Sequence, residues 1–506
     1  MMTRGTIWTL GILLFVCAPW AWAGGEIPSK VKNDLLSRYE KDRAGAVRKL
    51  AEIGGDEAWG LVIKALADSK GQVADEAQKQ LAAESCPAEV RKRLLDEGGL
   101  GSKDEWVQLR AAEVLGLAPE PVDGLAVGEV LNKKKPLVSV AALRCLADRG
   151  ARGGLDWGKG GERNQARIAK QVAGLVGAGG EMAAEALLAL AELDRPRAVE
   201  LADKGVKSGD ALVRAAGWLV LERAEAPGLV GRLAAALEDS DGAVRGVAHR
   251  ILQRAGTREA LGMLIGALEK EPREKLLLEL VPRLQAMTGY KAGRSAEAWR
   301  NFERDLPDDW HAAAAVDPED RGDVEESKVG AASLPTFSDR IVYLLDFSGS
   351  IWNEQQEGKT RKQVLDPVFE RTLDALKTGT WFNVGPYTGE IHPWQKALVE
   401  ADAKRIKAAQ EYLRDIKVTG PGDFYLAVQW AKQDPSIDTI CVLTDGAPSG
   451  GRRWNMEAMA ELLLRENQLR PLRFDVVLVD CPKGLQRHWR RLTEGSGGTL
   501  QALDLK

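Results

Sequence analysis

Two different hydrophobic rhythms divide the chain. From about residue 30 to residue 300, apolar positions recur at helical spacing and are interrupted by Gly and Pro. Beyond Ser338 the rhythm changes to short, largely apolar runs, at 341–345, 437–443 and 474–479, separated by helical stretches. Runs this short, bounded by turn residues, read as strands buried on both faces of a parallel sheet. Their alternation with helices is what a doubly wound sheet requires. The expected architecture is multidomain: an all-α repeat solenoid over 30–304, then an α/β doubly wound domain over 338–506.

The helical part repeats itself. Asp210-Ala-Leu-Val213-Arg214-Ala-Ala recurs 31 residues later as Asp241-Gly-Ala-Val244-Arg245-Gly-Val. Val47-Arg-Lys-Leu-Ala51 finds its counterpart in Val107-Gln-Leu-Arg-Ala-Ala112. One helix pair cannot bury its own apolar stripe, so a period in this range implies neighbours stacked on a continuous core. The Asp-x-x-Val-Arg-x-x-Ala pattern resembles short HEAT-like repeats, broken by a Gly-rich stretch around 150–161. In this reading Asp210 and Asp241 cap helices, and Arg214 and Arg245 brace adjacent repeats. Trp299 and Phe302, on a last short helix, would cover the end of the stack.

Residues 305–337 are acidic and Ala-rich, without a periodic apolar face, and are expected to form a flexible linker. An Arg321-Gly322-Asp323 tripeptide lies inside it and is short enough to arise by chance. At the other end, Arg4 precedes an apolar stretch from Ile7 to Val16 and the small residues of Ala21-Trp22-Ala23. This is the layout of a cleaved secretory signal over 1–23, too short to span a bilayer. Beyond it no apolar run approaches eighteen residues, so no transmembrane segment is expected after cleavage. The scattered Cys86, Cys145, Cys441 and Cys481 form no zinc spacing; a Cys441–Cys481 disulfide and two separate thiols both remain open. A net charge of −4 gives no electrostatic case for nucleic acid or an anionic membrane.

Chemistry concentrates where two strands end. The run 341–345 leads into Asp346-Phe-Ser348-Gly-Ser350, and the run 437–443 leads into Thr444-Asp445-Gly446. Carboxylate and hydroxyl oxygens at alternate positions suit a hard Mg²⁺-type cation. Strand ends of an open α/β sheet are where ligands gather. With this spacing, the region from about 339 to the C-terminus resembles a von Willebrand factor A (VWA) domain. The resemblance implies a metal-ion-dependent adhesion site: Asp346, Ser348 and Ser350 hold Mg²⁺ or another divalent cation, with Asp445 direct or through water. An acidic side chain of a protein ligand would complete the shell.

One position departs from the family pattern. The Thr expected ahead of the next helix is Gly422, in Thr419-Gly420-Pro421-Gly422-Asp423. Two outcomes stay open. Either Asp423 or Thr419 reaches the ion, or Asp423 caps the following helix and the site has one ligand fewer. Arg452 and Arg453 flank the same face and are candidates for partner contact.

Catalysis finds few parts. The histidines are His249, His311, His392 and His488, and no HExxH, GxSxG or GxxxxGK[ST] motif occurs. A haloacid-dehalogenase-like phosphoryl transferase would need a second Asp where Ser348 stands. The basic cluster 487–491 reads as a solvated helix face with Trp489 packed inward. The expectation is an exported, non-enzymatic protein-binding or adhesion-type protein, with the solenoid as scaffold. Metal-independent binding through the solenoid's concave face is the alternative, and metal-assisted hydrolysis a third reading.

The signal reading predicts a mature chain that begins at Gly24. Intact-mass measurement of exported protein checks this, and a mass corresponding to an acylated Cys17 or to the uncleaved chain would contradict it.

Overall fold

The computed structural model describes residues 25–96, 98–312, 325–327, 338–353 and 358–503. The signal expected over 1–23 and the tripeptide at 321–323 lie outside the described residues.

The helical region is a row. Helices beginning at Glu40, Gly71, Glu105, Pro136, Gly180, Ala211, Gly242 and Glu274 each pack on the next, and shorter helices fill the outer layer. The widest interval, from Pro136 to Gly180, contains the Gly-rich stretch, where a small parallel ribbon joins Val122–Asp123 to Leu155–Asp156. Leu50, Leu143, Leu187, Val220, Leu252 and Leu284 are fully buried in the shared core. Each contributes about 1.5–3 kcal/mol of apolar burial, drawn from neighbours rather than from its own repeat.

Charged residues hold the repeats in step. Asp210 accepts from Leu212 N at 2.9 Å and Asp241 from Ala243 N at 2.7 Å. Arg214 forks onto Asp239 of the next repeat at 2.7 Å through both nitrogens, and Arg245 onto Glu271 at 2.7 and 2.9 Å. Trp299 is fully buried at the end of the row, with Tyr290 edge-on to it and Phe302 stacked on Tyr290.

The stretch expected as a flexible linker is structured at two places. Trp310 packs against the helical core, and Ala312 N donates to Gly256 O at 2.8 Å. An apolar ring in an acidic segment is enough to anchor its first residues. Farther on, strand β1 (Glu325–Ser327) joins a sheet.

That sheet also contains β2 (Arg340–Asp346), β3 (Trp381–Tyr387), β4 (Val399–Glu400), β5 (Thr439–Thr444), β6 (Arg473–Val479) and β7 (Leu500–Leu503). Its order is β1-β7-β6-β5-β2-β3-β4, parallel except at β4. From β2 the chain first moves to β3 on one side, then returns to β5 on the other. The carboxyl ends of β2 and β5 therefore flank the point where strand order reverses. Helices cover both faces, and β2 and β5 are buried throughout apart from Arg340.

The sheet domain lies directly against the helical row, through the segment 451–473. Asp75, on the Gly71–Ala82 helix, accepts from Trp454 N and from Asn455 N, just ahead of the Met456–Glu466 helix. Its other oxygen pairs with Arg110, which also donates to Arg452 O. Buried Arg453 forks onto Glu113, Arg250 donates to Asn467 O and Gln468 O, and Lys275 donates to Pro471 O. These contacts place the chain's own second domain on the part of the row that the alternative reading would leave open to a partner. Arg453, expected to face a partner, is likewise committed within the molecule: burial disfavours its charge, and the Glu113 carboxylate more than offsets this, holding its pKa above the ordinary value.

Removing one partner of a buried ion pair leaves an uncompensated charge, a loss of about 3–5 kcal/mol. Protein cut once in the acidic stretch should therefore elute as a single species, and the same cut in a Glu113→Ala, Asp75→Ala double variant should yield two. Size-exclusion chromatography of the cleaved proteins checks this. Separation of the cut wild-type halves would show that the interface is too weak to hold.

Candidate functional site

Three loops meet beyond the carboxyl ends of β2 and β5. The first follows β2, where Asp346 Oδ1 accepts from Ser348 N at 2.9 Å in an Asx-type turn. This turn brings the Ser348 and Ser350 hydroxyls within 3.2 Å of each other. Below it, Phe347 is fully buried, and Trp352 Nε1 donates to Val418 O at 2.9 Å. The second loop, 419–423, is tied to the first by Gly349 N donating to Gly420 O at 3.1 Å. The third, 445–452, is tied to the second: Gly422 N donates to Ser449 Oγ at 2.8 Å, and Ser449 N and Gly450 N both donate to Gly422 O at 3.1 Å.

Asp346 lies at the centre of this arrangement. Its Oδ2 accepts from Thr444 Oγ1 at 2.7 Å across the β2–β5 pair. It is 5% exposed, and among the described residues no Lys or Arg pairs with it. Burial pushes its carboxyl above the usual range, the hydrogen bond from Thr444 counteracts this, and the charge of Asp445 adds to the rise. On the adjacent strand, the buried Tyr387 hydroxyl lies beside the Asp346 carboxyl and the Thr444 hydroxyl.

Similarity to known proteins points the same way. No protein-family model matches the chain. Over 111 residues it is 28% identical to von Willebrand factor A domain-containing protein 3B of Homo sapiens, a match covering 22% of this chain and 8% of that protein. The aligned sequence, the sheet order and the Asp-x-Ser-x-Ser turn at the reversal point agree. The chain contains a VWA domain. Solved structures similar to it include a von Willebrand factor type A protein from Catenulispora acidiphila, with 19% identity, 32% of this chain and 38% of that one covered, and a TM-score of 0.27. Another is the conserved hypothetical protein BatB from Bacteroides thetaiotaomicron, with 16% identity, coverage of 33% and 90%, and a TM-score of 0.26. None of these names a repeat class for the helical part, which stands as a stack of packed helices.

The VWA face brings together most of the residues expected there. Asp346, Ser348 and Ser350 share one turn. Asp445, one residue beyond β5, is near enough to raise the Asp346 carboxyl, but it also faces Arg361 Nη1 at 3.7 Å and accepts from Ala447 N at 3.3 Å. Asp423 turns away: its side chain caps the Phe424–Ala431 helix, accepting from Leu426 N at 2.9 Å. Thr419 is exposed at the rim. Arg452 is exposed beside the third loop, with its guanidinium 5.6 Å from the Trp106 ring of the helical row. Cys441 is buried and Cys481 half-buried, and no disulfide joins them.

Among the described residues no cluster of three His, Cys, Asp or Glu side chains is placed to hold an ion. The donors here are instead mainly hydroxyls around one buried, cation-free carboxylate. That set fits a small hard cation, which accepts neutral oxygens and keeps several waters. Sequence reasoning missed two contributors. Thr444 reads in the sequence only as part of the Thr-Asp-Gly motif, although its hydroxyl holds Asp346. Ser449 carried no signal, because its place depends on the fold of a Gly-rich loop. Beside it a cavity of about 280 Å³ opens between the repeats and the VWA loops, lined by Lys70, Gln72, Pro421 and Trp454 among others.

Raising a folded-state carboxyl pKa has a defined sign. As pH climbs, Asp346 ionises in the unfolded chain first, so the native state holds the extra proton and loses stability until both forms are ionised. In chelator at neutral pH, Asp346→Asn should melt above wild type, by roughly 2–4 °C if the relief is about 1 kcal/mol. The difference should shrink toward pH 4. Thermal melts across pH check this, and an Asp346→Asn protein that melts below wild type throughout would contradict it.

Proposed function

We propose that this is an exported binding protein whose VWA face takes a protein ligand through a divalent cation, with Mg²⁺ the first candidate. Asp346, Ser348 and Ser350 would hold the ion, and Asp445 would act directly or through water. When bound, the ion supplies a positive centre that an acidic side chain of the ligand can complete. Asp346 fixes the turn that brings both serine hydroxyls together, and Thr444 holds the carboxylate from the neighbouring strand. The observation carrying this reading is the buried Asp346 carboxylate, which lacks any cationic partner among the described residues. A cation from outside the chain would stabilise the charged form of such a carboxylate, which burial otherwise disfavours.

Binding through the surface of the helical row is the weaker alternative, because segment 451–473 covers that surface. The role is non-catalytic in this proposal: a hydrolase reading has no assigned acid or base at the serine turn. Export rests on the sequence pattern of residues 1–23.

Calorimetry with Mg²⁺ and Mn²⁺ tests the site. Wild type should bind one ion, and Asp346→Ala should weaken binding by at least about 100-fold. Asp423→Asn, which retains a capping oxygen, should stay within about threefold of wild type. Retained ion binding in Asp346→Ala would defeat the proposal. Strong loss in Asp423→Asn, with melting unchanged, would show that Asp423 is a ligand rather than a cap.

A further inference from the structure

Gly422 leaves a place at the VWA face without a side chain, and the structure puts an oxygen beside that place. A Cβ built on Gly422 would stand 3.2 Å from Asp346 Oδ1 and 3.3 Å from Ser348 Cβ, so position 422 faces the serine turn. The same point lies 3.5 Å from Ser449 Oγ. Ser449 Oγ accepts from Gly422 N at 2.8 Å, which holds it on the side where a residue-422 side chain would project.

We propose that Ser449, on a different loop, supplies the neutral hydroxyl that Gly422 cannot, and serves as a direct ligand of the divalent ion. This rests on the ion-binding reading above and adds the ligand that reading lacks. A serine hydroxyl has two lone pairs, and the bond from Gly422 N uses one of them. The other would be left for an ion that one carboxylate, two hydroxyls and Asp445 also approach. A third neutral hydroxyl keeps the net charge of the site low, which preserves the ion's attraction for a ligand carboxylate. Asp423 could not play that part, since its carboxylate caps a helix and would cancel one unit of the ion's charge.

The position of Ser449 is set from two sides. A Cβ on Gly450 would stand 2.6 Å from Pro421 Cβ, and one on Gly451 would stand 2.2 Å from Asp423 Oδ2, so only glycines let this loop lie so close to the second. Gly451 also has φ of +83°, where a side chain would be strained. From the other side, Gly71 N of the helical row donates to Gly451 O at 3.1 Å, and Arg110 donates to Arg452 O. The loop bearing the replacement ligand is thus clamped between the VWA domain and the repeats.

A metal-preference switch tests direct ligation, because a structural serine would not change which ion binds. Affinities for Mg²⁺, Mn²⁺ and Cd²⁺ are measured by calorimetry on full-length wild type, Ser449→Ala and Ser449→Cys, with melting in chelator followed in parallel. Ser449→Ala should bind Mn²⁺ at least about tenfold more weakly. Ser449→Cys should lose Mg²⁺ affinity to a similar extent but gain Cd²⁺ affinity, since a thiolate prefers the softer ion. It should also show a thiolate-to-cadmium charge-transfer band absent from wild type. Unchanged Mn²⁺ affinity in Ser449→Ala, or Ser449→Cys with no shift toward Cd²⁺, would overturn the role of Ser449 while leaving the site itself standing. Absence of ion binding in wild type would instead overturn the ion-binding reading and this proposal together.

Discussion

One carboxylate, that of Asp75, governs how the two halves of the molecule meet. It is 5% exposed and accepts from Arg110, Trp454 N and Asn455 N. The two backbone donors precede a helix N-terminus, where a negative charge is favoured. A buried carboxylate is tolerable only when it is fully satisfied. Here one partner comes from the repeats and two from the VWA domain, so full satisfaction requires docking. Arg110 passes the constraint on to Arg452 O, and neighbouring Glu113 does the same with Arg453. The same few residues fix the third loop of the candidate site.

This arrangement explains why the helical row is polar where a free-standing repeat protein would also be polar, yet is not free. Arg144, Glu181 and Glu185 lie on two neighbouring helices of the row. In the fold they join Arg465, Lys432 and Glu466 of the VWA domain in a shared network. Such networks give orientation more than net stability.

How far the sequence discloses the molecule follows from the range of the interactions involved. The helix row, β2 and β5, and the Asp346–Ser350 turn were legible because they depend on local periodicity and on residues two apart. The helix-capping role of Asp423 was one of two open readings, since an Asp ahead of an apolar run signals it. Trp310 shows the limit in one direction: a single aromatic ring in an acidic stretch anchors backbone that composition assigned to a linker. Arg453 shows the limit in another. A pair of arginines beside a ligand face reads as a docking patch until Glu113, hundreds of positions earlier, is placed against one of them. Ser449 and Thr444 were invisible as site residues because their meaning comes from strand and loop neighbours rather than from spacing.

The hydrogen bond from Gly71 N to Gly451 O also has a mechanical meaning. A Cβ on Gly71 would stand 2.7 Å from Gly451 O, so the two backbones touch with nothing compliant between them. Force applied along the row of helices would reach the 445–452 loop through this contact without travelling through the acidic connection between the domains. A stack of helix pairs is elastic along its length, because each interface can open slightly. Stretching or bending the row would therefore load the loop that carries Ser449, at the edge of the proposed cation site.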